Sequence, residues 1–251
     1  MPSITIDKRF CGPPNSGNGG YVCGLLAGHI DGSAEITLRA PPPLEQTLDI
    51  VAGAGGAVEL RDGVTILATG RPTQIDVSDI PAASYFEAED AVSRTPDKAS
   101  HPLPTCFVCG PDRAPGDGLR LFAGPLVARA DQKTGVFAVP WIPDANLAGS
   151  DGRVAPEFVW ASLDCPTGYA GKAAPHLGLT GTESILLGRM SARIDARPKP
   201  GDRCVVVAWP TGRDGRKIFA DGALLGEHGE VLAVAQATWL TVDPHVQRGE
   251  K

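Results

Sequence analysis

Two short stretches of the 251-residue chain hold residue types that could do chemistry together. The first is Asn18-Gly19-Gly20, which closes a glycine- and asparagine-rich loop and opens an apolar helix candidate. The first amides of a helix lack intrahelical partners and carry a partial positive charge. Glycine lets a ligand approach such a backbone closely. A carbonyl placed there would have its developing oxyanion stabilised by about 3 kcal/mol per good donor. A plain loop with Asn18 as N-cap explains the same residues without a ligand. The second stretch is Val159-Trp160-Ala161-Ser162-Leu163-Asp164. Trp160 lies four residues before Asp164 and so shares its helix face. A poorly solvated carboxylate beside an indole has a raised pKa. It can act as general base on water or attack an acyl carbon itself. A capping or salt-bridged Asp beside Pro166 is the simpler alternative, since proline disturbs the helix before it.

The six cysteines are Cys11, Cys23, Cys106, Cys109, Cys165 and Cys204. Cys106-x-x-Cys109 invites a zinc reading, but structural zinc takes four ligands. No second Cys-x-x-Cys follows, and His101 alone does not complete the set. Free thiols are expected there, with no metal and no cofactor. Cys23, Cys165 and Cys204 sit in apolar runs and read as small buried hydrophobes. A disulfide framework is not expected without a secretory context. His29, His176, His228 and His245 show no Ser-His-Asp logic, and a Gly-x-Ser-x-Gly elbow is missing. No Gly-x-Gly-x-x-Gly motif links a strand to a helix, and no Lys-Ser/Thr follows the glycines at 16–20.

The elements that must position these residues come as two similar series, the kind of internal repeat that decides a fold. Helix candidates cover 19–30 and 156–169, with Pro156 suited to a first turn and Pro166 as an interruption. In the first half, strands are expected at 3–10, 35–39, 48–52, 57–61 and 64–69, with a hairpin at Arg61-Asp62-Gly63. Residues 77–104 lose apolar periodicity and read as a connector. The second half opens with strand-like 106–110 and 118–122. Strands at 127–130, 135–140, 184–196, 203–209, 217–225 and 231–242 follow, the last as a central strand; 141–153 reads as a loop. One helix followed by antiparallel strands, repeated, is an α+β pattern, divided here into 1–95 and 96–251. Hydrophobic residues make up 42%, enough for a real core, and the net charge of -6 disfavours nucleic acid. No apolar run approaches the ~20 residues of a membrane span. The first nine residues lack a signal-peptide apolar region, so the cytoplasm is expected.

Taken in order, several motifs resemble a known family. Cys106-Phe107-Val108-Cys109-Gly110 followed by Gly118-Leu119-Arg120-Leu121 is similar to an opening strand of the hotdog-fold thioesterases. Helix 156–169 with Asp164 resembles their central helix with its carboxylate. Arg197-Pro198 with Gly201-Asp202, and the alternation Gly229-x-Val231-x-Ala233-x-Ala235-x-Ala237, resemble their later strands. Asn18-Gly19-Gly20-Tyr21 is similar to their helix-opening His-Gly-Gly, with Asn in place of His. The resemblance is to the tandem, double hotdog form, in which each unit wraps an antiparallel sheet around one helix.

That resemblance implies a single site built across both halves. Gly19 and Gly20 amides would face Asp164, and Asn15 or Asn18 would hold a water or the carbonyl. Tyr21, Leu25 and Trp160 would lie along the acyl chain. Thr180 and Thr182 stand where relatives place a supporting hydroxyl, although two loop threonines among glycines explain them as well. The implied activity is hydrolysis of an acyl-CoA or carrier-bound acyl thioester, by a chain that forms a homodimer. The Asn-for-His exchange and the short first half leave a non-catalytic acyl-CoA-binding protein as the alternative. An enoyl-CoA hydratase is weaker, because it normally needs an Asp/His pair and no His lies near Asp164 in the sequence.

Overall fold

The computed structural model describes residues 2–96, 98–128 and 133–249. In chain order its elements are β1 (Ser3–Thr5), α1 (Gly19–Ala27), β2 (Ala34–Leu38), β3 (Thr47–Ala52), β4 (Val58–Asp62), β5 (Thr65–Pro72) and α2 (Tyr85–Val92). Then come β6 (Gly124–Pro125), β7 (Phe137–Trp141), α3 (Pro156–Lys172), β8 (Ile185–Ile194), β9 (Cys204–Asp214), β10 (Lys217–Leu225), β11 (Val231–Thr241) and the short α4 (Pro244–Gln247). The strands join edge to edge in one antiparallel sheet, ordered β1-β3-β4-β5-β2-β8-β11-β10-β9-β7-β6. The two halves of the chain meet where β2 pairs with β8, Ala34 opposite Ala192 through Thr37 opposite Arg189. Among the described residues no helix is long and apolar enough to cross a membrane.

Burial on two sides explains the unbroken apolar run of β9. Cys204, Val206 and Ala208 point into the main core, which also holds Leu163 and Ala170 of α3. Val205, Val207 and Trp209 point the other way, into a smaller cluster with Ile75, Val77 and Ala88. A strand covered on both faces reads as continuous rather than alternating. The expected connector thus does more than link: Ile75, Val77 and α2 cover the back of the sheet. The signature of α2 was present in the sequence as Ser84-x-x-Glu87. Ser84 Oγ accepts from the Glu87 amide at 3.2 Å, and Glu87 Oε2 accepts from the Ser84 amide at 2.8 Å.

Several expected elements change. The first strand stops at Thr5, and Lys8–Phe10 forms a 3-10 turn capped by Asp7. Residues 106–110 are buried and 118–122 mostly so, but neither stretch is a strand. Gly110 turns the chain back onto the Cys106 carbonyl at 2.8 Å, so only single bonds such as Leu121 N to Val108 O form. Residues 127 and 128 lie beyond the two-residue β6, and 129–130 lie outside the described residues. Trp141 belongs to β7, and Ala145–Leu147 is a 3-10 turn rather than plain loop. Helix α1 ends at Ala27, whereas α3 runs through Pro166 to Lys172. Packing against the sheet holds that helix despite the lost amide. Trp239 lies over Gly168, and its Nε1 donates to Thr167 Oγ1 at 3.1 Å.

Helices α1 and α3 lie side by side on this sheet, and their approach is set by glycine. Gly20 and Gly24 are four residues apart, on one face of α1. A Cβ on Gly20 would stand 2.5 Å from Asp164 Cβ and 2.9 Å from the Trp160 carbonyl oxygen. A Cβ on Gly24 would stand 2.5 Å from Glu157 Cα. The sequence suggests Gly20 as a place for a ligand to approach; in the fold it is first a place for α3 to approach. Gly24→Ala is therefore expected to destabilise despite the better helix propensity of alanine, worth about 1 kcal/mol. The obstacle is backbone, so overpacking of up to about 3 kcal/mol wins, for a net loss of about 2 kcal/mol. Thermal unfolding should show Tm lower by roughly 4–8 °C. Gly212→Ala, whose nearest new neighbour is a Phe219 ring carbon at 3.6 Å, should leave Tm unchanged. An unshifted Tm for Gly24→Ala would show that the close crossing is not a constraint.

Candidate active site

The loop before α1 is held from both ends. The Gly12 amide donates to the Ser16 carbonyl at 2.9 Å, the Gly17 amide to Pro42 at 2.9 Å, and the Asn18 amide to Phe10 at 2.8 Å. These bonds deliver Asn18 in an extended conformation as the N-cap, where its Oδ1 accepts from the Tyr21 amide at 2.9 Å. With the oxygen so engaged, the amide nitrogen must face the other way. It donates to Asp164 Oδ2 at 2.7 Å, and the Gly20 amide donates to the same oxygen at 3.0 Å. Asn18 thus caps the helix as expected, but its amide nitrogen holds the carboxylate rather than the water or carbonyl expected of it.

Asp164 is 2% exposed. Burial raises its carboxyl to about 7, the neighbouring Cys106 sulfur adds to the rise, and the Gly20 and Asn18 donors oppose it. Its second oxygen, Oδ1, is buried with no hydrogen-bond partner among the described residues. The result is a carboxylate aimed at the positive end of a helix on another element, with one oxygen anchored and one uncommitted. Such a group can accept a proton from water or bond an electrophilic carbon.

No protein-family model and no curated protein sequence matches the chain. Solved structures do match. The acyl-CoA thioesterase II TesB2 of Mycobacterium marinum shares 12% identity with a TM-score of 0.61, over 96% of this chain and 92% of that one. The tesB protein of Mycobacterium avium subs paratuberculosis shares 14% with a TM-score of 0.57, over 90% and 88%. The chain has the α+β hotdog fold.

Within this hotdog fold, the other expected site residues fall in different places. Tyr21 is buried and stacks on Phe10 at 4.3 Å between centroids, with Phe107 and Phe158 around it. Leu25 packs against the main core and Trp160 is buried in it. Asn15 is exposed on the loop. None of these four lines the cavity of about 380 Å³ beside the second half of α3. Its walls include His101, Cys109, Cys165, Gly168, Tyr169 and Thr182. Thr182 stands exposed at that cavity, 2.7 Å from Thr180 Oγ1, and Thr180 also bonds Glu183. The Gly20 amide is engaged by Asp164 rather than free, and Gly19, the first residue of α1, packs toward Leu187 and Leu38.

Sequence reasoning missed two features beside Asp164. Thr167 Oγ1 donates to the Asp164 carbonyl at 2.7 Å while accepting from Trp239, so the helix turn carrying Asp164 is tied to β11. Cys165, expected as an isolated small hydrophobe, lies 3.8 Å from Cys106. The Asn18 amide nitrogen also reaches Cys106 Sγ, at 3.9 Å. No periodicity links residues 59 positions apart; only the adjacency of Cys165 to Asp164 could have drawn attention to it.

The double role of Asn18 can be tested on stability. Asn18→Ala loses the cap and one donor to a buried carboxylate, together about 2–4 kcal/mol. Asn18→Asp keeps a capping oxygen but sets a second carboxylate against Asp164, and at pH 8 it should be at least as unstable as Asn18→Ala. Urea denaturation measures both. An Asn18→Asp protein as stable as wild type would break the assigned Asn18–Asp164 bond.

Proposed function

We propose that the chain is a thioester hydrolase acting on an acyl-CoA or carrier-bound acyl group. In this reading, residues 1–95 and 96–251 are two hotdog units that share one site at their seam. The observation that carries it is Asp164 of α3 directed at the amide that opens α1, with Oδ1 left uncommitted. The fold shared with an acyl-CoA thioesterase II structure supports the substrate class.

The thioester carbonyl oxygen takes the Gly20 N–H, with the Gly19 amide as a second donor, and displaces Asp164 Oδ2 from it. Asn18 keeps the carboxylate in place through the exchange. Oδ1 removes a proton from water as the water oxygen bonds to the acyl carbon. The carbon–sulfur bond then breaks, and the thiolate leaves and takes up the proton. The substrate enters from the cavity lined by Cys165 and Gly168, the residues that follow Asp164 on α3. In its present state the Gly20 amide is already bonded within the protein, and that favours one other reading: a binding protein that holds an acyl thioester without cleaving it.

The test is loss of thioester ultraviolet absorbance across short-, medium- and long-chain acyl-CoAs. Wild type should turn over at least one of them. Asp164→Asn keeps acceptors for the Gly20 and Asn18 donors, so it should fold, yet lose about 100-fold or more in kcat/KM. Binding without turnover by wild type would select the binding protein. Hydration of crotonyl-CoA would select the hydratase. Full activity of Asp164→Asn would move the site elsewhere.

A further inference from the structure

The Cys106, Cys109 and Cys165 sulfurs all lie within 4.8 Å of one another. All three are free thiols, and Cys106 and Cys165 stand 3.8 Å apart. Thiolates on a tetrahedral zinc ion, each at about 2.3 Å, are about 3.8 Å from one another. The sequence reading set zinc aside for want of further ligands near the Cys-x-x-Cys; the fold brings a third from α3.

The cluster is enclosed, with Cys106 and Cys109 buried and Cys165 half-buried. Residues 106–110 form a tight turn in which the Gly110 amide donates to the Cys106 carbonyl at 2.8 Å. Gly110 closes that turn, and a Cβ there would stand 2.5 Å from the carbonyl oxygens of Cys106 and Pro104. The Asn18 side-chain amide reaches the Cys106 sulfur. On the far side, the Leu103 amide donates to His101 Nδ1 at 3.1 Å, which leaves the proton on Nε2. Nε2 then donates to Tyr169 Oη at 3.0 Å, and the phenol hydrogen is left free beside Cys109, which lines the same cavity. His101 is therefore an outer partner of the cluster and not a ligand, the kind of support that ligating groups require. Cys109 and Cys165 also line the cavity, which supplies an entry path and water.

We propose that Cys106, Cys109 and Cys165 bind a zinc ion, with water as fourth ligand, and that the metal fastens the 106–110 turn to α3 next to Asp164. Binding releases the thiol protons and leaves three thiolates on one Zn²⁺. No redox change is involved. The ion would hold the 106–110 turn to α3 behind the carboxylate, and the proposal stands whether or not the chain hydrolyses thioesters.

Metal analysis of the full chain, purified with a thiol reductant and no chelator, should find about one zinc per chain. After chelation, cobalt(II) titration should produce thiolate-to-cobalt charge-transfer absorption and tetrahedral d–d bands, saturating at about one equivalent. Cys109→Ser and Cys165→Ser should lose or strongly weaken these bands; Cys23→Ser and Cys204→Ser should keep them. Should a variant misfold, wild type alone suffices: zinc should shield the three cysteines from iodoacetamide in peptide mass spectra, and a chelator should expose them. The proposal is overturned by metal-free protein that gives no cobalt charge transfer. It is equally overturned by bands that survive Cys165→Ser, or by a disulfide joining two of the three in unreduced peptides.

Discussion

The rest of the structure depends on how closely α1 and α3 approach. Only a residue without a Cβ at positions 20 and 24 lets the Asp164 side chain and the Trp160 and Glu157 backbones come so near. That distance decides whether the Gly20 amide meets a carboxylate or merely another helix surface. Everything chemical follows from it: the anchored Oδ2, the uncommitted Oδ1, and the Asn18 side chain shared between cap and carboxylate. The sheet beneath serves the same end. The β2–β8 pairing joins the two halves into one surface, so the helices lying on it cannot drift apart.

Burying a carboxylate is expensive, several kcal/mol even after relaxation. Two hydrogen bonds to a charged oxygen return about 1.5–3 kcal/mol each. Burial outweighs those two bonds at Asp164, so its carboxyl stands well above its ordinary value. An acid left in that position is held there by the packing of Trp239 on Gly168 and by the Thr167 bridge to β11, not by its own solvation. Structures in which a costly group is kept in place by unrelated packing are where function is sought first.

Much of this was legible along the chain. The two helices, the long strands of the second half and the α+β pattern follow from periodicity and turn residues, since these are local properties. The run 203–209 was legible as a strand, though its burial on both faces emerged only in the fold. The pairing of Asn18-Gly19-Gly20 with Asp164 came from resemblance, because nothing local connects residues 144 positions apart. Where local signals misled, the cause was tertiary. Pro166 should break a helix, yet sheet packing holds α3 straight through it. Residues 106–110 look extended, yet Gly110 folds them into a turn.

By itself, then, the sequence determined which segments become helix or strand and placed a capping Asn, two glycines and one buried acid on them. Only the tertiary structure decided that Gly20 admits a helix before it could admit a ligand, that a cavity forms at Cys165 and Gly168 rather than along Tyr21 and Leu25, and that Cys165 joins Cys106 and Cys109. The reason is one of range. Helix caps, turns and periodicity act over a few residues, whereas the distance between two helices, and what fills the space beside them, is set by side chains far apart in the chain and settled only when the sheet closes beneath them.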